Sequence, residues 1–199
     1  MNQGFSAFVR AVIDGDRAVT GRMLANNREF ATCHFAEGAT RGNPTEFFVR
    51  DIAHYIYKGD TALHMAAAAF QPAIAELLVR AGADPGAKNR MGAEPLHYAA
   101  DTHHRNPVAQ SETISYLISV GSNPNARDAH GVAPLHRAVR TRSAAAVRAL
   151  LAGGADARQK NKNGSTPRDL ATRTTGKGGS GSPEARAQQK EILAILDKL

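Results

Sequence analysis

Eight histidines and one cysteine offer this 199-residue chain its widest choice of chemistry. His64, His97 and His136 each close a short phrase of one form, Ala-Leu-His or Pro-Leu-His. Histidine works as a general acid or base when a carboxylate or nucleophile is held beside it. These three come with no carboxylate at a fixed offset, so they suggest no acid–base pair. Cys33-His34 and His103-His104 are pairs of metal-ligating types, yet no spacing completes a four-ligand set and there is no second cysteine. Cys33 as a nucleophile would need a base brought in by folding, because the adjacent His34 is poorly placed to serve. The glycine-rich run around Lys177 has the composition of a phosphate cradle but not the Gly-x-x-x-x-Gly-Lys-Ser/Thr order. It reads as a surface loop. No catalytic residue, metal or cofactor is expected, and the chain reads as non-enzymatic.

The elements that carry these histidines repeat. Gly92-Ala93-Glu94-Pro95-Leu96-His97 recurs as Gly131-Val132-Ala133-Pro134-Leu135-His136. Weaker copies are Gly59-Asp60-Thr61-Ala62-Leu63-His64 and Gly164-Ser165-Thr166-Pro167-Arg168-Asp169. The glycines at 59, 92, 131 and 164 are 33, 39 and 33 residues apart. Such a period means stacked units, each too small to bury its own apolar face. The second halves repeat too, with apolar runs at 76–81, 116–120 and 149–152 stopped by Gly82, Gly121 and Gly153. Pro95, Pro134 and Pro167 occupy first helical positions, where a missing N–H costs nothing. Thr61 and Thr166 read as N-caps; Glu94 and Ala133 replace that threonine, at about 1 kcal/mol each. Asp128–Gly131 and Asn161–Gly164 read as tight turns.

With those motifs the chain resembles the ankyrin-repeat family. The resemblance implies an all-α solenoid of helix-turn-helix units with short β-turn fingers. It also implies that His64, His97 and His136 tie neighbouring units together by hydrogen bonds, with Pro95, Pro134 and Pro167 as structural repeat positions. A single repeat domain over 1–199 is expected. It comprises a degenerate first unit at 5–31 and an insertion at 32–56. Full units follow at 57–89, 90–128 and 129–161, then a last unit at 162–199 with a glycine-rich insertion. Within the first insertion, Phe48, Ile52, Tyr55 and Ile56 have helical spacing, which predicts a bracing helix over 46–57 with Phe48, Ile52 and Tyr55 buried. The insertions near His104 and Lys177 should leave one edge of the stack.

Charge points to partners. The net charge is +7. Residues 1–100 hold ten basic and ten acidic side chains, and residues 101–199 hold fifteen and eight. The resemblance implies that finger tips and the exposed sides of first helices bind partners. By register those positions include Lys58, Lys88, Arg90, Met91, Asp101, Arg127, His130, Arg140, Lys160, Lys162 and Arg173. Arg127, Arg140, Lys160 and Arg173 are expected along one face. A surface of one sign focuses its field and speeds capture of the opposite charge. The expected partner is another protein with an acidic surface; the alternatives are nucleic acid or another polyanion, and a basic face kept only for solubility. No stretch approaches the ~20 apolar residues of a membrane span. The N-terminal residues reach Arg10, Asp14 and Asp16 too soon for an export-signal core. With Cys33 alone, a cytoplasmic monomer is expected.

Overall fold

The computed structural model describes residues 3–101, 106–173 and 182–199. The loops around His103-His104 and Lys177, and with them the expectation about a shared edge, lie outside the described residues.

Helices come in pairs. They are α1 (Gln3–Asp14) with α2 (Arg17–Asn26), α3 (Ala62–Ala68) with α4 (Pro72–Arg80), and α5 (Pro95–Ala100) with α6 (Pro107–Ser119). Next come α7 (Pro134–Arg140) with α8 (Ala144–Ala152), and α9 (Pro167–Ala171) with α10 (Pro183–Leu196). First helices pack on first helices, α3 on α5, α5 on α7 and α7 on α9; second helices do the same, α4 on α6, α6 on α8 and α8 on α10. Two layers result, with one apolar seam between them. Leu63, Leu96 and Leu135 enter it from the inner layer, and Leu78, Leu117 and Leu150 from the outer. All six are essentially inaccessible to water. Full burial of such a side chain stabilises by about 1.5–3 kcal/mol. Each leucine is buried by a neighbouring unit as well as its own, so the units are stable together. Inner helices reach this spacing because Ala66, Ala67, Ala99, Ala100 and Ala138 present only methyl groups. At the N-terminal end Phe5, Phe8, Phe30 and Phe35 close the seam, with ring centroids 5.1–6.4 Å apart.

The turns between units stack as fingers. In each, one Asx side chain accepts two backbone N–H groups. Asn89 takes Met91 and Ala93, Asp128 takes His130 and Val132, and Asn161 takes Asn163 and Ser165, at 2.8–3.1 Å. Successive fingers are joined by backbone bonds from Arg90 N–H to Lys58 C=O, Ala129 N–H to Met91 C=O and Lys162 N–H to His130 C=O. At Gly131, φ is +70° and an added Cβ would lie 2.9 Å from Lys162 N. The turn and the close stacking both require glycine there.

The insertion corrects the sequence expectation: residues 46–57 are not a helix. Residues 34–39 run antiparallel beside 56–60, held by Phe35 N–H to Asp60 C=O, Gly59 N–H to Phe35 C=O and Ala39 N–H to Ile56 C=O, each 2.8 Å. Between these arms, strands β1 (Phe48–Val49) and β2 (His54–Tyr55) form a two-stranded antiparallel hairpin. Single 3₁₀ turns, Pro44–Phe47 and Arg50–Ile52, flank and cap it, and Ala53 takes a left-handed conformation at φ 48°. Phe48, Ile52, Tyr55 and Ile56 fit a helical stripe, but short apolar runs fit strands equally well. Here β-branched and aromatic residues favour the extended form. Ile52 is buried as expected, whereas Phe48 and Tyr55 are 38% and 37% exposed. They oppose one another across the hairpin with rings 4.9 Å apart.

Candidate functional site

The repeat histidines are committed at both ring nitrogens. Nδ1 of His64, His97 and His136 accepts the backbone N–H of Thr61, Glu94 and Ala133, at 3.1–3.2 Å. That bond leaves the proton on Nε2, which donates to the carbonyls of Ala93, Val132 and Ser165 in the next unit, each at 3.1 Å. One ring therefore satisfies an N-terminal orphan of its own helix and links two units. Burial holds all three neutral, His64 at about 4 and His97 at about 3, with His136 also lowered. A ring bonded on both sides has no free position for proton transfer to a substrate. Among the described residues no three His, Cys, Asp or Glu side chains gather as a metal set.

Below the hairpin is a buried polar cluster that the sequence did not reveal. Asp60 is fully buried. Its carboxylate accepts Tyr57 N–H at 2.7 Å, and Asn89 Nδ2 and Tyr98 Oη at 2.8 Å each. Burial pushes this carboxyl up to about 6 despite those bonds. Desolvation and the neighbouring carboxylate raise the Tyr98 phenol well above its ordinary value. His54, from the hairpin, stacks on the Tyr98 ring at 4.2 Å and 17°.

That contact lays the hairpin across the concave face. Together they enclose a cleft of about 540 Å³, within the usual range of binding clefts. One wall is His54, Tyr55, Tyr57 and Met91; the floor is Tyr98 and Val132; the far wall is Arg140, Lys162 and Arg173. Arg137 at the floor is nearly buried, donating to Asp128 at 2.9 Å and Asp101 at 3.3 Å. Arg140 reaches the other oxygen of Asp101 at 3.1 Å. Burial would raise the Asp128 carboxyl, but Arg137 and the finger N–H groups outweigh it and hold the carboxyl below its ordinary value. The cleft thus has four cations, Arg137, Arg140, Lys162 and Arg173, against two carboxylates, Asp101 and Asp128. Asp128 is held by Arg137, and Asp101 by Arg137 and Arg140, so the positive excess falls at Lys162 and Arg173.

The residues singled out from the sequence divide into two groups. Met91, Asp101, His130, Arg140, Lys162 and Arg173 line the cleft. Lys58, Lys88, Arg90, Arg127 and Lys160 lie outside its lining. Arg90 donates to Ala39 C=O and covers the Tyr57 ring at 5.4 Å, which fastens the insertion. Arg127 donates to Lys160 C=O at 2.7 Å, along the fingers and away from the cleft. Lys88 meets Glu94 at 3.7 Å. His54 and Arg137 were not among the sequence candidates, and Tyr55 was expected to be buried in a bracing helix but is exposed. Arg137 had a signal, since it lies three residues before Arg140 in the same helical run. For His54 the sequence held no such signal.

Residues 2–128 match a family model described as ankyrin repeats in three copies. Residues 117–171 match a second, described as ankyrin repeats in many copies. No curated protein matches the chain. Among the described residues no helix is long and apolar enough to cross a membrane.

Proposed function

Because the chain belongs to the ankyrin-repeat family, whose repeats mediate protein–protein interaction, we propose that it captures a partner protein, acidic where it docks, in the concave cleft and along the finger tips. The supporting observation is the basic wall of Arg140, Lys162 and Arg173 on a rigid frame, in which Lys162 and Arg173 are not offset by the cleft's two carboxylates. Binding here is surface complementarity without bond making, so no cofactor enters. In this reading the protein is a cytoplasmic monomer, in keeping with the lone thiol of Cys33. The second reading, a nucleic acid or other polyanion, is favoured by the basic excess in residues 101–199. It is disfavoured by the scarcity of aromatics in that half, where Tyr116 is the single Phe, Tyr or Trp on which bases could stack.

The test reverses two cations. Arg140→Glu with Arg173→Glu should slow association with the partner strongly at low salt and less at high salt, because such charges act on encounter. Stability should change by no more than about 0.5 kcal/mol for exposed Arg173. An association rate unchanged at low ionic strength overturns the cleft as the acidic docking site. A steep log–log loss of affinity with salt, on a single-stranded DNA probe, would support the polyanion instead.

A further inference from the structure

The hairpin changes the shape of the partner site. A plain stack of inner helices leaves a groove open at both ends. Here the β1–β2 hairpin rests on α5 through His54 on Tyr98. It is also fastened behind by Arg90 to Ala39 C=O and by the flush approach of Gly38, where an added Cβ would meet Lys58 N at 2.4 Å. The cleft is therefore walled on the hairpin side and remains basic on the other. The wall is apolar and aromatic, Tyr55, Tyr57 and Met91. Tyr55 and its partner ring Phe48 are among the few large apolar side chains left exposed on the described residues. An exposed aromatic pair of this kind commonly marks an interaction site.

Resting on the reading of the cleft as partner site, we propose that the hairpin is one wall of that site. The segment it fits is a short extended acidic peptide with one aromatic anchor. Its ring lies on Tyr55, Tyr57 and Met91, and its carboxylates reach Arg140 and Arg173. The units set the spacing. Met91 begins the α5 unit, Arg140 ends α7 one unit on, and Arg173 follows α9 two units on. Adjacent packed helices lie about 8–10 Å apart, and an extended chain advances about 3.3 Å per residue. Arg140 and Arg173 hold equivalent places one unit apart, so the two carboxylates belong about three residues from one another, the nearer at least about three from the anchor. Charge complementarity sets the direction, since the two cleft carboxylates are already held by Arg137 and Arg140. A longer helix laid through the groove would meet the hairpin.

Fluorescence anisotropy with labelled synthetic peptides tests this. One peptide carries phenylalanine followed by glutamates at the third and sixth positions; a second replaces the phenylalanine with alanine; a third replaces the glutamates with glutamine. The first should bind the full chain best. Losing the ring, or introducing Tyr55→Ser, should each weaken it by about tenfold, and the two losses should not add, because they remove one contact. The Met91 methyl resonance should shift with the first peptide and not with the second, which lacks the ring. That readout stands even if Tyr55→Ser perturbs the hairpin. Equal binding of the phenylalanine and alanine peptides, with an unmoved Met91 signal, overturns the hairpin wall. If the Arg140→Glu, Arg173→Glu protein still loses both of those peptides, the basic cleft survives that failure. Failure of all three peptides to bind overturns the hairpin proposal, and the cleft is then judged by the partner's association rate alone.

Discussion

The repeat stack and the 32–56 insertion are held in different ways, although they share one concave face. In the stack every link is made several times. A histidine bridges two units at 64, 97 and 136, an Asx residue folds the finger at 89, 128 and 161, and a backbone bond joins each finger to the next. The insertion's links are each of a different kind: the ring stack at His54, the guanidinium of Arg90, the packed glycine at Gly38, Phe35 against Phe5, and the Arg10–Asp51 ion pair at 2.7 Å. Repetition spreads a perturbation over identical neighbours, while the insertion depends on single contacts. The rigid part supplies the frame, and the singular part supplies the recognition wall.

The largest effect that would break this contrast is in the stack. His97→Ala leaves the Glu94 N–H without its partner and removes one of the two donors to the Val132 carbonyl, the other being Asp128 N–H. It should lower stability by about 1–3 kcal/mol, read from urea unfolding. Full stability retained together with loss of partner binding would reverse the assignment and make this histidine functional.

Acidification tests what holds the stack beneath the hairpin, because its buried histidines and its buried carboxyl respond with opposite signs. His64 and His97 have folded pKa values depressed from 6.5 to about 4 and about 3. Their stabilisation is complete above pH 6.5 and is lost as the pH falls toward those values. Asp60, beneath the hairpin, is raised from 3.8 to about 6. A raised carboxyl binds its proton more tightly when folded, so its ionisation costs stability as the pH climbs through that window. With more histidines than raised buried carboxyls, the melting temperature should fall between pH 6.5 and 4. Asp60→Asn, which removes the opposing group, should make the fall steeper. A melting temperature that rises on acidification, or an Asp60→Asn slope shallower than the parent's, would contradict the sign.

The smallest effect is expected in the insertion. His54→Ala removes one ring stack, about 0.5–1.5 kcal/mol. Its consequence should be local. Amide exchange should quicken at Ile56, which donates to Phe47 C=O, while Ala99 and Val139, inside α5 and α7, keep their protection. Uniform loss of protection across both regions would show that the hairpin is part of the same cooperative unit.

By itself the sequence determined the stack. Two units carry all three signals, Pro at the helix start, histidine two residues later and glycine at the finger, and two more carry two of them, so the copies reinforce one another and fix both element type and period. The basic excess of the second half was equally plain. Only the tertiary structure decided which of those cations face the cleft. Register made Arg127 and Arg140 equivalent candidates, but Arg127 is spent on Lys160 C=O whereas Arg140 faces the cleft. The insertion was decided in the same way. Phe48, Ile52 and Tyr55 fit a helix and a hairpin alike, since spacing alone does not separate the two in so short a segment. His54 finding Tyr98, 44 residues away in sequence, is a contact between a singular segment and a repeated one. No periodicity encodes such a contact, and it exists only once the stack has folded beneath it.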